Sequence, residues 1–135
     1  MNGILLVTHE GIGSALLQCV THVYGVCPEG IEICSIQAVD SVTEDAVRAA
    51  LNRVKAKSSS STVLVLTDIY GASPSNLAIK LIEPGCVAVL AGVNVPMLLR
   101  VLTYRDESLD SLCKKALEGG TRGMVCVPAL PCMGT

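Results

Sequence analysis

Three short polar segments interrupt apolar runs in this 135-residue chain and carry side chains capable of chemistry. They are Thr8-His9-Glu10, Asp68-Ile69-Tyr70-Gly71-Ala72-Ser73, and Asn94 within Gly92-Val93-Asn94-Val95-Pro96. A neutral imidazole is a competent nucleophile at neutral pH, its ordinary pKa lying near ~6.5. A carboxylate on the second ring nitrogen fixes the tautomer and offsets the positive charge that develops as the first nitrogen forms a bond. Helix-start amides attract anions, so residues 71–73 or 11–13 are candidates to hold phosphoryl oxygens. His9, Asp68 and Ser73 therefore point to phosphoryl acceptance. Each has a plainer reading as well: a surface histidine, a turn cap and an N-cap. Asn94 reads first as a turn-fixing side chain, and Glu10 as a solvated one. His22 falls within a helix, away from the strand ends. A zinc site would want more nitrogen or sulfur ligands at a recognisable spacing, and none is present.

These segments have to be positioned by the elements around them. Apolar runs at 4–8, 31–38, 62–67 and 86–91 read as strands. Stripes at helical spacing follow them: Leu16, Leu17, Val20, Val23 and Tyr24 in the first, Val42, Ala46, Ala49, Ala50 and Val54 in the second. The second helix is expected over 41–57, with Ser41-Val42-Thr43-Glu44 as a capping box. The third is expected to start with Ser73 as N-cap and Pro74 at the first helical position. Further helices are expected at 97–104 and 108–118, the last stopped by Gly119-Gly120, before a fifth strand at 122–128. Repeated βα units imply an α/β fold: a doubly wound sheet of four parallel strands in the order 2-1-3-4, with right-handed crossovers. Ligands bind such sheets beyond the carboxyl ends of the strands, which is where His9, Asp68, Ser73 and Asn94 would converge. One domain is expected over 1–128, with a short tail at 129–135.

Composition excludes other classes. Half the chain is hydrophobic, yet its aromatics are three tyrosines, so the core must be aliphatic. The net charge is −2 with scattered basic residues, which gives no footprint for nucleic acid. No apolar run approaches the ~20 residues of a membrane span, and the amino terminus lacks a signal-peptide pattern. A cytoplasmic protein is expected. Seven cysteines, an odd number without a C-x-x-C pair, read as reduced thiols serving mainly as small core hydrophobes, with Cys132 in the tail the one to watch for reactivity. Gly11-Ile12-Gly13-Ser14-Ala15-Leu16 follows a strand as in a dinucleotide fingerprint, and Asp40 lies near its acidic position. The third glycine is missing, so a nucleotide-binding enzyme stands as a remote alternative.

The segments Thr8-His9, Thr67-Asp68-Ile69-Tyr70-Gly71-Ala72-Ser73-Pro74-Ser75-Asn76 and Ala91-Gly92-Val93-Asn94-Val95-Pro96-Met97-Leu98 resemble enzyme IIA of the mannose family. These proteins belong to the bacterial phosphoenolpyruvate-dependent sugar phosphotransferase system (PTS). The resemblance extends over about residues 3–127. It implies a phosphotransferase without cofactor or metal, in which His9 accepts a phosphoryl group from the histidine-containing phosphocarrier protein HPr and passes it to an enzyme IIB for sugar uptake. It also implies that Asp68 orients His9, that Ser73 with Gly71 and Ala72 contacts the phosphoryl group, and that Thr8 and Asn94 belong to the site loops. A homodimer exchanging an antiparallel C-terminal edge strand is implied too. Because no IIB domain follows residue 135, the acceptor is expected to be a separate protein. The chain departs from the family pattern at Ala72, where a second glycine is common, at Ser75, where an aromatic is common, and at Tyr70, where Trp or Phe is expected. A phosphorylation-sensing regulator in an incomplete system, without transport, uses the same chemistry and is the alternative.

Overall fold

The computed structural model describes residues 1–128. Strands and helices alternate: β1 (Gly3–His9), α1 (Ile12–Tyr24), β2 (Ile31–Ile36), α2 (Ser41–Lys57), β3 (Val63–Thr67), α3 (Ser73–Ile79), β4 (Val87–Ala91), α4 (Val95–Thr103) and α5 (Leu109–Arg122). The four strands form one parallel sheet in the order β2-β1-β3-β4, as expected. The register pairs Val7 with Thr67 and His9 with Ile36. Asp68, the residue after Thr67, therefore emerges beside Thr8 and His9.

Alternation along the central strands divides the core in two. Leu5, Val7, Val63 and Val65 face Val47, Leu51 and Val54 of α2 and Leu77 of α3. Ile4, Leu6, Leu64 and Leu66 face Val20 of α1, Leu98 and Val101 of α4, and Leu112 of α5. Being covered on both sides explains why β1 and β3 read as unbroken aliphatic runs.

Four expectations need correction. The cap of α2 is Asp40, whose Oδ1 accepts from the Thr43 amide at 2.7 Å, and not a Ser41–Glu44 box. The buried face of α2 is Val47, Ala50, Leu51 and Val54, whereas Val42 is 77% exposed. A Val–Ala stripe mimics a face, but Leu51 and Val47 bury more apolar surface, and they set the rotation. Of the six cysteines within the described residues, Cys34, Cys86 and Cys113 pack half-buried against the core as expected, but Cys19 and Cys27 are exposed; Cys132 lies outside the described residues.

The largest correction concerns Gly119-Gly120. Helix α5 runs through both glycines to Arg122, and among the described residues 124–128 form no strand, so the sheet has four strands. The glycines serve close packing. A Cβ on Gly119 would lie 2.6 Å from the Arg100 Cβ, and one on Gly123 2.2 Å from the Pro96 Cβ. Each glycine within a helix costs roughly 1 kcal/mol of propensity, and here the close approach of α4 offsets it. The residues expected as a tail, 129–135, lie outside the described residues.

Candidate functional site

At the carboxyl end of the sheet, β1 delivers His9 and the β3–α3 loop delivers Asp68. The His9 Nδ1 lies 2.7 Å from Asp68 Oδ2, and the same oxygen accepts from the His9 main-chain N–H at 2.9 Å. Asp68 Oδ1 accepts from the Ile69 amide at 3.0 Å. Burial pushes the Asp68 carboxyl up, but donation from the His9 main-chain N–H and imidazole outweighs it and holds the pKa below the usual carboxylate value. An ionised carboxylate accepts only, so Nδ1 carries a proton, and in the neutral ring the free lone pair is the one on Nε2. The imidazole is 49% exposed while the Asp68 side chain is 13% exposed, which presents the ring to a reactant and shields its anchor.

Thr8 is buried and ties the loop together. Its Oγ1 accepts from the Gly13 amide at 2.9 Å and donates to the His9 carbonyl at 2.9 Å. A Cβ on Gly13 would meet Ile33 Cγ2 at 2.8 Å and Thr8 Oγ1 at 3.1 Å. That close approach accounts for the second glycine of the Gly11-Ile12-Gly13 segment without any nucleotide. Glu10 is exposed, and its Oε2 accepts from Gln37 Nε2.

The 71–73 segment opens α3 one residue off the expected frame. Ala72 occupies the N-cap position, with φ −85° and ψ 171°, and Ser73 is the first helical residue, with its side chain exposed. Gly71 is left-handed at φ +91°, a conformation that disfavours other residues. Ser75 is fully buried; its Oγ accepts from the Gly71 amide at 2.9 Å and donates to the Ala72 carbonyl at 3.2 Å. Sequence reasoning noted Ser75 only as a departure from the family pattern; its signal as a loop anchor would have been a small hydroxyl residue two places after the Ser73 that opens the helix.

Asn94 caps α4. Its Oδ1 accepts from the Met97 amide at 2.9 Å and its Nδ2 donates to the Gly120 carbonyl at 3.1 Å. Both ends of the amide are thus engaged in joining α4 to α5. His22 is exposed in the last turn of α1. The structure thus joins His9 to Asp68 directly, and it places Thr8 and Asn94 in bracing roles. Among the described residues no group of three or more His, Cys, Asp or Glu is arranged to hold a metal ion, and no helix is long and apolar enough to cross a membrane.

Comparison with known proteins places this geometry. The EIIA-man family model, described as "PTS system fructose IIA component", matches residues 3–117. The "PTS system mannose-specific EIIAB component" of Escherichia coli (strain K12) is 40% identical over 72 residues, a match spanning 51% of this chain and 22% of that protein. A phosphotransferase system component EIIA from Streptococcus agalactiae superposes with a TM-score of 0.78 at 27% identity, over 94% of this chain and 98% of that one. A mannose/sorbose-specific IIA subunit from Enterococcus faecalis gives a TM-score of 0.78 at 22% identity, over 96% of each chain.

Proposed function

The chain belongs to the EIIA-man family of PTS IIA components, and on that premise we propose that it is a phosphoryl carrier whose His9 forms a phosphohistidine. The observation that carries this reading is the 2.7 Å contact between His9 Nδ1 and Asp68 Oδ2. With Nδ1 protonated, Nε2 attacks the phosphorus of a donor phosphohistidine, and the bond from phosphorus to the donor nitrogen breaks. Asp68 stabilises the imidazolium character that develops on the ring. The reverse displacement, by a nucleophile of the acceptor, returns His9 to its neutral form. The donor on this reading is HPr and the acceptor an enzyme IIB component, acting in the cytoplasm in sugar uptake and phosphorylation. The exposed Ser73 side chain and the main-chain amide of Ala72 are the proposed phosphoryl contacts, with Gly71, whose amide is committed to Ser75, shaping the turn. Thr8 and Asn94 hold the surrounding loops.

Incubation with phosphoenolpyruvate, the general first enzyme of the system and HPr, followed by intact mass measurement, tests the carrier role. One acid-labile, base-stable phosphoryl group is expected on the wild type and none on His9→Ala, which should keep its fold. Labelling that survives in His9→Ala and vanishes in His22→Ala would overturn the assignment.

We further propose a homodimer in which the segment after α5, residues 124–128, adds antiparallel to a sheet edge of a second copy. Two features support it. Among the described residues β4 is an edge strand whose far side is met only at Val87, by an isolated bridge to Glu83. Beyond α5, Val125 and Val127 are 73% and 86% exposed, an apolar segment that invites aggregation if left uncovered. Light scattering should give two copies for the full chain and one for a chain cut after Gly123, and a full chain that stays single at high micromolar concentration removes the exchange.

A further inference from the structure

We propose that Ser75 is a positioning residue of the phosphoryl-transfer site, a role that rests on the carrier reading above. Helix α3 is only seven residues long, and its buried faces are occupied by Pro74, Leu77 and Ala78. Ser75 is fully buried among them, where an unpaired hydroxyl would be costly. Its hydrogen bonds do not run within the body of the helix. Oγ accepts from the amide of Gly71, four residues back, and donates to the carbonyl of Ala72, three residues back. One hydroxyl thus closes the loop onto the helix that follows it.

The consequence reaches the site because the same loop is anchored at its other end by Asp68. That carboxylate holds His9 through Oδ2 and the Ile69 amide through Oδ1. Between the two anchors stand only Ile69 and Tyr70, which are 56% and 77% exposed. These side chains bury little surface, so packing contributes little to the shape of the loop. The hydrogen bonds at Asp68 and Ser75 set it. Losing the Ser75 hydroxyl frees the Gly71 amide, releases the left-handed turn at Gly71, and lets the Asp68 carboxylate drift from the ring.

The geometry also supplies a conservative replacement. Ser75 borders a cavity of about 290 Å³ formed with Tyr70, Ile79, Ile82 and Val89. The extra methyl of a threonine has room there while its hydroxyl keeps the same partners.

The test compares wild type, Ser75→Ala and Ser75→Thr in phosphoryl transfer from phosphorylated HPr, alongside amide hydrogen exchange at Gly71. Loss of one neutral hydrogen bond corresponds to about a fivefold change. Ser75→Ala should therefore lower kcat about fivefold with KM for the donor unchanged, while Gly71 exchanges faster. Ser75→Thr should restore both. A merely structural role would lower thermal stability and leave kcat of the folded protein alone. Unchanged kcat in a folded Ser75→Ala protein, or unchanged Gly71 exchange, overturns the role of Ser75 while leaving His9 as the acceptor. A wild type that takes no phosphoryl group overturns the carrier reading, and the role of Ser75 with it.

Discussion

The two ends of the sheet solve opposite problems with similar chemical groups. At the amino end, Arg105 is buried, and each of its three guanidinium nitrogens donates to a main-chain carbonyl. Nε donates to Asn2 at 2.9 Å, Nη2 to Gly30 at 2.9 Å, and Nη1 to Glu29. Asn2 answers by donating from Nδ2 to the carbonyls of Arg105 at 2.8 Å and Glu107 at 2.7 Å. At the carboxyl end, His9 is half exposed and commits one ring nitrogen to Asp68. A polar group whose bonds are all directed at the backbone holds a fold together. One that is anchored on one side and presented on the other is available for reaction. Burial and charge alone would single out Arg105; the uncommitted valence singles out His9.

The sharpest way to break this comparison is at the anchor. Asp68→Asn preserves shape and removes the negative charge, so the ring loses the group that holds its proton on Nδ1 and offsets developing charge. Transfer from HPr, followed by rapid quench, should slow on the order of 100-fold, the scale of a lost acid–base partner. The protein should remain folded by circular dichroism. A rate within error of wild type would leave Asp68 as a turn residue only.

The opposite substitution tests the other end. Arg105→Met keeps much of the volume but strips the donors from the carbonyls of Asn2, Glu29 and Gly30. Leaving the buried Asn2 carbonyl unpaired costs about 1–3 kcal/mol; Glu29 is exposed and the Gly30 carbonyl keeps the Ile4 amide, so a loss of about 2 kcal/mol is expected, or about 7 °C in Tm for a chain of this size. Transfer per folded molecule should not change, because no atom of the cluster approaches His9. A folded Arg105→Met protein with slow transfer would mean that the two ends are coupled and that the division of labour drawn here is wrong.

How much of this was legible beforehand follows from what each feature depends on. Strand order and the meeting of His9 with Asp68 were readable because they rest on periodicity and chain topology, which single residue types report well. The family resemblance, carried by Thr8-His9 and the segments around Asp68 and Asn94, led to the same place, and the match of the EIIA-man family model supports it. Gly119 and Gly120 were misread because local propensity treats adjacent glycines as a helix stop. Only the approach of Arg100 and Met97, within 2.6–3.3 Å of where their Cβ atoms would sit, explains why the helix continues. Asp40 displaced Ser41 as a cap because two adjacent residues were both chemically suited, and the direction of the incoming chain decides between them. The positioning role proposed for Ser75 left no sequence signal because its hydroxyl bonds only main-chain groups.

The smallest effect is the pH dependence of the anchor, and it distinguishes a charge that is held from one that is merely near. The folded-state pKa of Asp68 is depressed below its ordinary value of 3.8, since His9 donation outweighs burial. A depressed carboxyl contributes stability that is fully present above its unfolded pKa, about 3.9, and that is lost as pH falls through the folded value. The window therefore lies below about pH 4. Asp40 and Glu107 are also held below their ordinary values, by the Thr43 amide and by Lys115 respectively, so acid sensitivity of the wild type alone does not isolate Asp68. The difference between wild type and Asp68→Asn does, because those two groups are common to both proteins. Urea unfolding from neutral pH downward should give a stability difference that is constant above about pH 5 and shrinks in favour of the variant below about pH 4. A difference that stays flat into the acid would mean that the carboxylate gains nothing from His9 on folding, and the anchor would then be a matter of shape and not of charge.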